Sequence, residues 1–340
     1  MVEHAYEHLN MPLMRDNLVS DGHHPIKTAR AFVTLEDLLR LEHRASGFSF
    51  LPRQPVHSLL AGRHASRLRG RGLNFEELRH YFEGDDTRTI DWLATARLGS
   101  PHVRVYSEER DRPVILLIDQ RSTMFFGSRR AMKSVAAAEA AALAAWRVSS
   151  LGDRVGAVVF TDDGIVSIKA QARDKGVVRV LSEIAKANAA LAAPPTSSGD
   201  ERLNEALAAA CRMVAHDGLV CLISDAAGED DETQRLITKL SAHNDVLAIF
   251  IHDPLEQDLP DIGRATFSSG VAEIEVDASA PDFRLHFGEE RRQWRERLAG
   301  LSRKRAIPVL PISTDRDVAD QYRELIGRRQ AQRLASGRRS

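Results

Sequence analysis

At 340 residues, with 43% hydrophobic and 28% charged residues, the chain can bury a full-sized core and a smaller unit besides. A formal net charge of -1 excludes any global electrostatic drive toward nucleic acid or an acidic membrane, leaving only local patches to consider. The two cysteines, Cys211 and Cys221, have neither metal-ligand nor redox-pair spacing, and no apolar run approaches a bilayer span. Together with an opening segment unlike a signal peptide, this predicts a cytoplasmic protein.

Residues 1–30 are polar and irregular and read as an arm, in which His23 and His24 are solvated rather than metal-bound. Thr34–His43 places Leu35, Leu38, Leu39 and Leu41 behind a Thr34 N-cap, a pattern that one amphipathic helix explains. A Gly/Arg-rich stretch, Ala61–Gly72, leads into Phe75–Arg97. There Gly84, Asp85 and Asp86 read as a turn, with an Asp capping a short helix over Arg88–Thr95 that Ile90 and Trp92 would anchor to the core. His102–Glu109 alternates Val103 and Val105 with polar neighbours, as an edge strand does. From Glu76 to Arg112 acids and arginines intermix, which argues for ion-pair networks and against a phosphate-tracking stripe. Such a surface also suits partner docking, with Asp85, Asp86, Arg88, Asp91, Trp92 and Arg97 as candidates.

From Arg112 the pattern is regular. Strands are predicted at Val114–Asp119, Val155–Phe160, Ile165–Ala170, Leu219–Ser224, Val246–His252 and Ile307–Pro311. Helices are predicted at Arg130–Val148, Val177–Asn188, Arg202–Val214, Glu232–Ala242, around Arg284–Lys304 and at Val318–Gln330. Leu191–Gly199 reads as a loop and the stretch after His252 as irregular. The alternation predicts an α/β fold: a doubly wound, mainly parallel sheet with helices on both faces, one antiparallel hairpin strand, and an N-terminal extension holding a short antiparallel element.

Two of these strands end on an acid, Asp119 and Asp225. In a doubly wound sheet they face each other across the carboxyl edge, where such folds place ligands; the alternative is that each merely caps the segment after it. Ser122, Thr123, Glu201 and Asp225 could supply oxygens to a hard cation such as Mg²⁺. Arg121 speaks against one, because a guanidinium can neutralise the carboxylates itself, paired with Asp119, Asp225 or Glu201. A phosphatase of the haloacid dehalogenase type would want an aspartate at position 121. No P-loop and no G-x-S-x-G elbow is present, and both cysteines fall on apolar faces as core residues.

The stretch GRGLNFEELRHYFEGDDTRTIDWLATAR, followed by HVRVYSEERDRPVILLID, closely resembles the signature of domain-of-unknown-function family 58 over about 50 residues. Asn74 stands before Phe75 where that family commonly has an acid. The resemblance implies a von Willebrand factor A-like domain over roughly 112–330, after an N-terminal arm (1–60) and a signature segment (61–111), with a basic tail at 331–340. It also implies an adaptor or co-chaperone role with a MoxR-type AAA+ ATPase, acting on an unidentified client protein. The von Willebrand metal-ion-dependent adhesion pattern, D-x-S-x-S with a middle-loop threonine and a later aspartate, carries over at Asp119 and Asp225, with Thr123 as a tolerable substitute. It departs at Arg121 and at Glu201, which stands where the threonine would be. The two departures are opposite in charge, so the expectation is an Arg121–Glu201 contact, with Asp119 or Asp225, in place of the ion. The other functional readings are a metal-dependent hydrolase using Asp119 and Asp225, which lacks a candidate base, and nucleic-acid binding through residues 62–72 and Arg328, Arg329, Arg333, Arg338 and Arg339, which lacks an aromatic stacking platform.

Overall fold

A computed structural model describes residues 29–46, 73–82, 85–108, 112–193, 199, 201–257, 264–268, 273–277, 280–281, 292 and 307–326. The chain divides into two compact units, Pro52–Asp111 and the remainder, Met1–Leu51 with Arg112–Ser340. His23, His24, the Gly/Arg-rich stretch, most of the predicted helix around Arg284–Lys304 and the C-terminal arginines lie outside the described residues.

The first described helix, α1 (Leu35–Leu39), has the N-cap expected at Thr34, here as part of a capping box in which Thr34 and Asp37 satisfy each other's backbone N–H groups. It tightens into a 3₁₀ turn over Arg40–Arg44. In the smaller unit β1 (Leu73–His80) pairs antiparallel with β2 (His102–Glu108). Between them the predicted Arg88–Thr95 helix is corrected to two pieces. A 3₁₀ turn at Thr87–Thr89 is capped by Asp86, and α2 (Trp92–Leu98) is capped by Asp91, whose carboxylate accepts from Leu93 N and Ala94 N. Ile90 sits extended between them and bridges to Val103, so a single helix cannot run through it. Trp92 is also corrected: at 70% exposure it anchors nothing to a core among the described residues.

The larger unit is built on a six-stranded sheet: β3 (Pro113–Asp119), β4 (Arg154–Thr161), β5 (Gly164–Gln171), β6 (Leu219–Ser224), β7 (Asp245–His252) and, past a separate two-stranded ladder of β8 (Arg264–Ser268) with β9 (Glu273–Asp277), β10 (Val309–Ser313). Their spatial order is β10-β7-β6-β3-β4-β5, parallel throughout except for the β4–β5 hairpin at one edge. Buried parallel strands need both faces apolar, and β3 supplies this by alternation. Val114, Leu116 and Ile118 join one apolar cluster, while Ile115 and Leu117 join the other. The first face is covered by α3 (Lys133–Ser150), α4 (Arg173–Ala190), a helix over 318–326 and α1; the second by α5 (Arg202–Met213) and α6 (Asp231–Ser241). A short α7 (Pro254–Gln257) follows β7.

Two boundaries move for a visible reason. The helix expected from Arg130 begins at Lys133, because residues 130–132 are held extended by a strap from the amino-terminal segment. Arg30 N donates to Arg130 O at 2.9 Å and Met132 N donates to Arg30 O at 3.0 Å. The last strand is centred two residues later than expected, and the stretch after His252 contains α7 and the β8–β9 ladder rather than irregular chain.

Candidate functional site: the carboxyl edge of the sheet

Adjacent parallel strands β3 and β6 carry Asp119 and Asp225 to the same edge, both buried. A carboxylate taken out of water loses more than most single contacts return, so each must find compensation nearby. Asp119 finds it two residues away. Arg121 folds back so that Nε donates to Oδ1 at 3.0 Å and Nη2 to Oδ2 at 2.7 Å, the forked geometry that makes guanidinium–carboxylate pairs strong. Arg121 N adds a third bond to Oδ1 at 3.1 Å, and Ser224 Oγ donates to Oδ2 at 2.6 Å. The guanidinium is itself 2% exposed and lies over the Phe160 ring, 5.4 Å from its centroid. Its remaining donors tie two further loops, reaching Gly199 O at 3.4 Å and Ala227 O at 3.0 Å. Burial disfavours the charged guanidinium, but Asp119, with Asp225 and Asp162 beyond it, outweighs this and leaves Arg121 more firmly protonated than a free arginine.

Asp225 is served by a different cation. Lys133, the first residue of α3, extends its ammonium between Asp225 Oδ2 and Glu256 Oε1, at 2.7 Å from each. All three side chains are buried. Burial lowers the ammonium pKa, and the two carboxylates more than reverse it. For Asp225, burial raises the pKa, but Lys133, Arg121 and the Ala227 N–H together hold it below the usual carboxylate value. The turn after β6 stores strain to achieve this: Ala226 adopts φ +57°, a left-handed conformation costing an L-residue roughly 1–2 kcal/mol. That conformation accompanies Ala226 N donating to Ser224 Oγ at 2.9 Å and Ala227 O accepting from Arg121.

A third acid, Asp162 at the end of β4, binds the loop after β3: Ser122 N donates to Oδ2 at 2.7 Å and Ser122 Oγ to Oδ1 at 3.2 Å. Burial raises the Asp162 pKa despite these bonds and the nearby Arg121. Gly199 packs its backbone against the same carboxylate at φ +70°, where any Cβ would collide with an Asp162 oxygen. Thr123 lies in the 3₁₀ turn Ser122–Met124, and its buried hydroxyl has no hydrogen-bond partner among the described residues. Asp253, after β7, accepts from Ser128 N at 2.9 Å and Ser128 Oγ at 2.6 Å, and also from Thr314 Oγ1.

Glu201 does not join this set. It is exposed at the N-cap of α5, and no hydrogen bond of Arg121 goes to it. The expected Arg121–Glu201 contact is corrected to Arg121–Asp119, because the arginine turns back along its own loop and, among the described residues, meets the middle loop through Gly199 O. Examined as a divalent-cation site, the donor set does not fit. Both oxygens of Asp119 accept from Arg121, Asp225 accepts from Lys133 and Ala227, and a fixed positive charge lies against each acid. Among the described residues no three His, Cys, Asp or Glu side chains gather as a metal-holding group.

In the smaller unit the docking candidates divide. Asp85 is bound in a two-pronged pair with Arg79, at 2.8 and 2.9 Å, and accepts from Phe82 N; Asp86 and Asp91 are helix caps. Arg88, Trp92 and Arg97 are exposed, alongside Phe82, Leu93 and Leu98.

The model of the family described as a protein of unknown function, DUF58, matches residues 77–297. The chain belongs to this family. Relatives of comparable length include the uncharacterised proteins Rv1480 of Mycobacterium tuberculosis and Mb1516 of Mycobacterium bovis, each 31% identical over 282 residues, 82% of this chain and 86% of theirs. Among solved structures, BatB from Bacteroides thetaiotaomicron aligns over 67% of this chain and all of its own at 13% identity and a TM-score of 0.36. A von Willebrand factor type A protein from Catenulispora acidiphila aligns over 66% of this chain and 43% of its own, at 15% identity and a TM-score of 0.35. The fold is the doubly wound, mainly parallel α/β sheet that the sequence predicted: β3 lies inside it, with three parallel strands to one side and a parallel strand and an antiparallel edge strand to the other. No helix among the described residues is long and apolar enough to cross a membrane.

Sequence reasoning missed Lys133, Glu256, Asp162 and Ser224 as members of this DUF58 edge. Lys133 left a signal: from 133 to 146 the only charges in an otherwise small or apolar helix are Lys133 and Glu139. A helix buried nearly all round tolerates a charge only when it is paired, and Glu139 indeed receives both Arg30 and Arg130. Asp162 was hidden by its turn, where aspartate is commonplace.

Proposed function

We propose that this DUF58 protein is a non-enzymatic interaction protein, an adaptor or co-chaperone for a MoxR-type AAA+ ATPase in the cytoplasm, whose carboxyl-edge crevice is a degenerate metal site that works without an ion. The observation that supports this is the double neutralisation at the edge. With Asp119 committed to Arg121 and Asp225 to Lys133, neither acid is left to hold a catalytic metal or to draw a proton from water. Arg121 takes over the joining task that an ion would perform, linking the loops after β3, before α5 and after β6. The ATPase is assigned to the smaller unit, where Trp92, exposed beside Arg88 and Arg97, has the chemistry of an interface anchor.

The test is a pull-down of the full chain from native cells, repeated with Trp92→Ala. Recovery of an AAA+ ATPase by the parent chain, reduced about tenfold or more by the substitution, is the expected result. Absence of any such ATPase, together with Mg²⁺- or Mn²⁺-dependent ester or phosphoester turnover abolished by Asp119→Ala, would replace the adaptor with a hydrolase.

A further inference from the structure

The strap at residues 29–46 reaches both segments that carry the crevice cations, by backbone bonds at one end and a buried polar relay at the other. At one end, Arg30 pairs with the backbone of 130–132, and the next residue in the chain is Lys133. Three residues on, Val33 N donates to Asn188 Oδ1 at 2.9 Å; Asn188 Nδ2 donates to Gln120 Oε1 at 3.0 Å; Gln120 Nε2 donates to Ser134 O at 2.9 Å. Asn188 and Gln120 are fully buried, and Gln120 stands between Asp119 and Arg121. Phe32, which lies between these two contacts, packs at a tilt against Phe125 of the crevice loop, with ring centroids 5.4 Å apart.

We propose that this strap is a latch on the carboxyl-edge crevice: its seating fixes the loops of Arg121 and Lys133, and its displacement loosens both. The polar relay carries the coupling, because a buried amide that loses one partner must either find another or move. If Val33 N leaves, Asn188 Oδ1 is orphaned inside the protein, and Asn188 and Gln120 must rearrange together. If Arg30 leaves, the carbonyl of Arg130 and the N–H of Met132 lose their partners at the start of α3. The strap is held by contacts of graded strength that suit a reversible element. Arg44 makes a two-pronged bond to Asp317 at 2.9 and 2.7 Å at a half-exposed site, Leu38 is fully buried against the core, and Phe32 is 41% exposed. Linkage requires the effect to be reciprocal, so a ligand that reshapes the crevice also changes the hold on the strap.

The latch rests on the crevice being tied by Arg121 and Lys133 in place of an ion, but its test needs neither a metal nor a partner, so failure of either idea leaves the other open to its own experiment. Amide hydrogen exchange on the full chain would be compared with the Val33→Pro variant, which removes the N–H that Asn188 binds. Exchange at least tenfold faster over residues 120–124 and 132–134, with α6 on the opposite face unchanged, is expected. Faster exchange confined to 30–45, or spread equally over α6, overturns the latch. Should Val33→Pro fail to fold, Phe32→Ala, which removes the tilted ring contact with Phe125, is read the same way, and an unchanged crevice in a folded variant again overturns it.

Discussion

Arg121→Ala is expected to lower the unfolding free energy by about 3–5 kcal/mol, the usual cost of leaving one half of a buried ion pair uncompensated. Asp119 is fully buried, and the substitution strips it of the bidentate guanidinium while leaving only Arg121 N and Ser224 Oγ as donors. It also cuts the bonds to Gly199 O and Ala227 O, so three loops lose their common tie. Arg121→Lys is expected to recover only part of the loss, since a point charge cannot reproduce the planar fork that reaches both Asp119 oxygens. Urea unfolding at pH 7 reads both variants. A loss below about 1 kcal/mol for Arg121→Ala would mean that water or another side chain serves Asp119 equally well.

Lys133→Met is expected to cost a similar amount, about 3–5 kcal/mol near neutral pH, because Asp225 and Glu256 lose the ammonium they share. Its pH dependence is the sharper signature. In the parent protein Asp225 titrates below its unfolded value, so its stabilising contribution is present above about pH 3.9 and is lost only as pH falls through the lower native value. Without Lys133, only Arg121 and the Ala227 N–H still oppose the burial that raises Asp225, and the native side chain is expected to bind a proton more readily than the unfolded chain does. The variant therefore gains stability on acidification where the parent does not, and the deficit narrows between neutrality and about pH 4. Unfolding curves measured across that range should converge; parallel curves would mean that Lys133 does not set the ionisation of Asp225.

The parts of the fold that depend on periodicity were readable from sequence, and the parts that depend on long-range polar pairing were not. β6 was placed at Leu219–Ser224 without error because a buried strand bounded by polar residues has a single sensible reading. The hairpin of β4 and β5 followed from its short turn. In the site, Asp119 was recognisable as a strand-ending acid and Arg121 as its neutraliser, since both lie in one loop. The second half needed the fold. Lys133 is 92 residues from Asp225 and 123 from Glu256, and no spacing rule connects them. Glu201 was misread for the complementary reason: its position in the middle loop matches a ligand position, but its side chain is exposed, and among the described residues of that loop it is the backbone of Gly199 that meets the arginine. Trp92 was taken for a core anchor because large aromatics usually are, and its exposure became visible only once Ile90 was seen to interrupt the helix.

On the proposed reading, Arg121 and Lys133 hold this edge in place of a divalent ion. The direct test is titration calorimetry of the full chain with Mg²⁺ and with Mn²⁺ at pH 7. No saturable heat below about 1 mM of either ion is expected, because displacing a bidentate guanidinium from a buried carboxylate costs more than a hard cation regains from the few oxygens left free. Saturable micromolar binding that disappears in Asp119→Asn would contradict it and restore the crevice as a metal site.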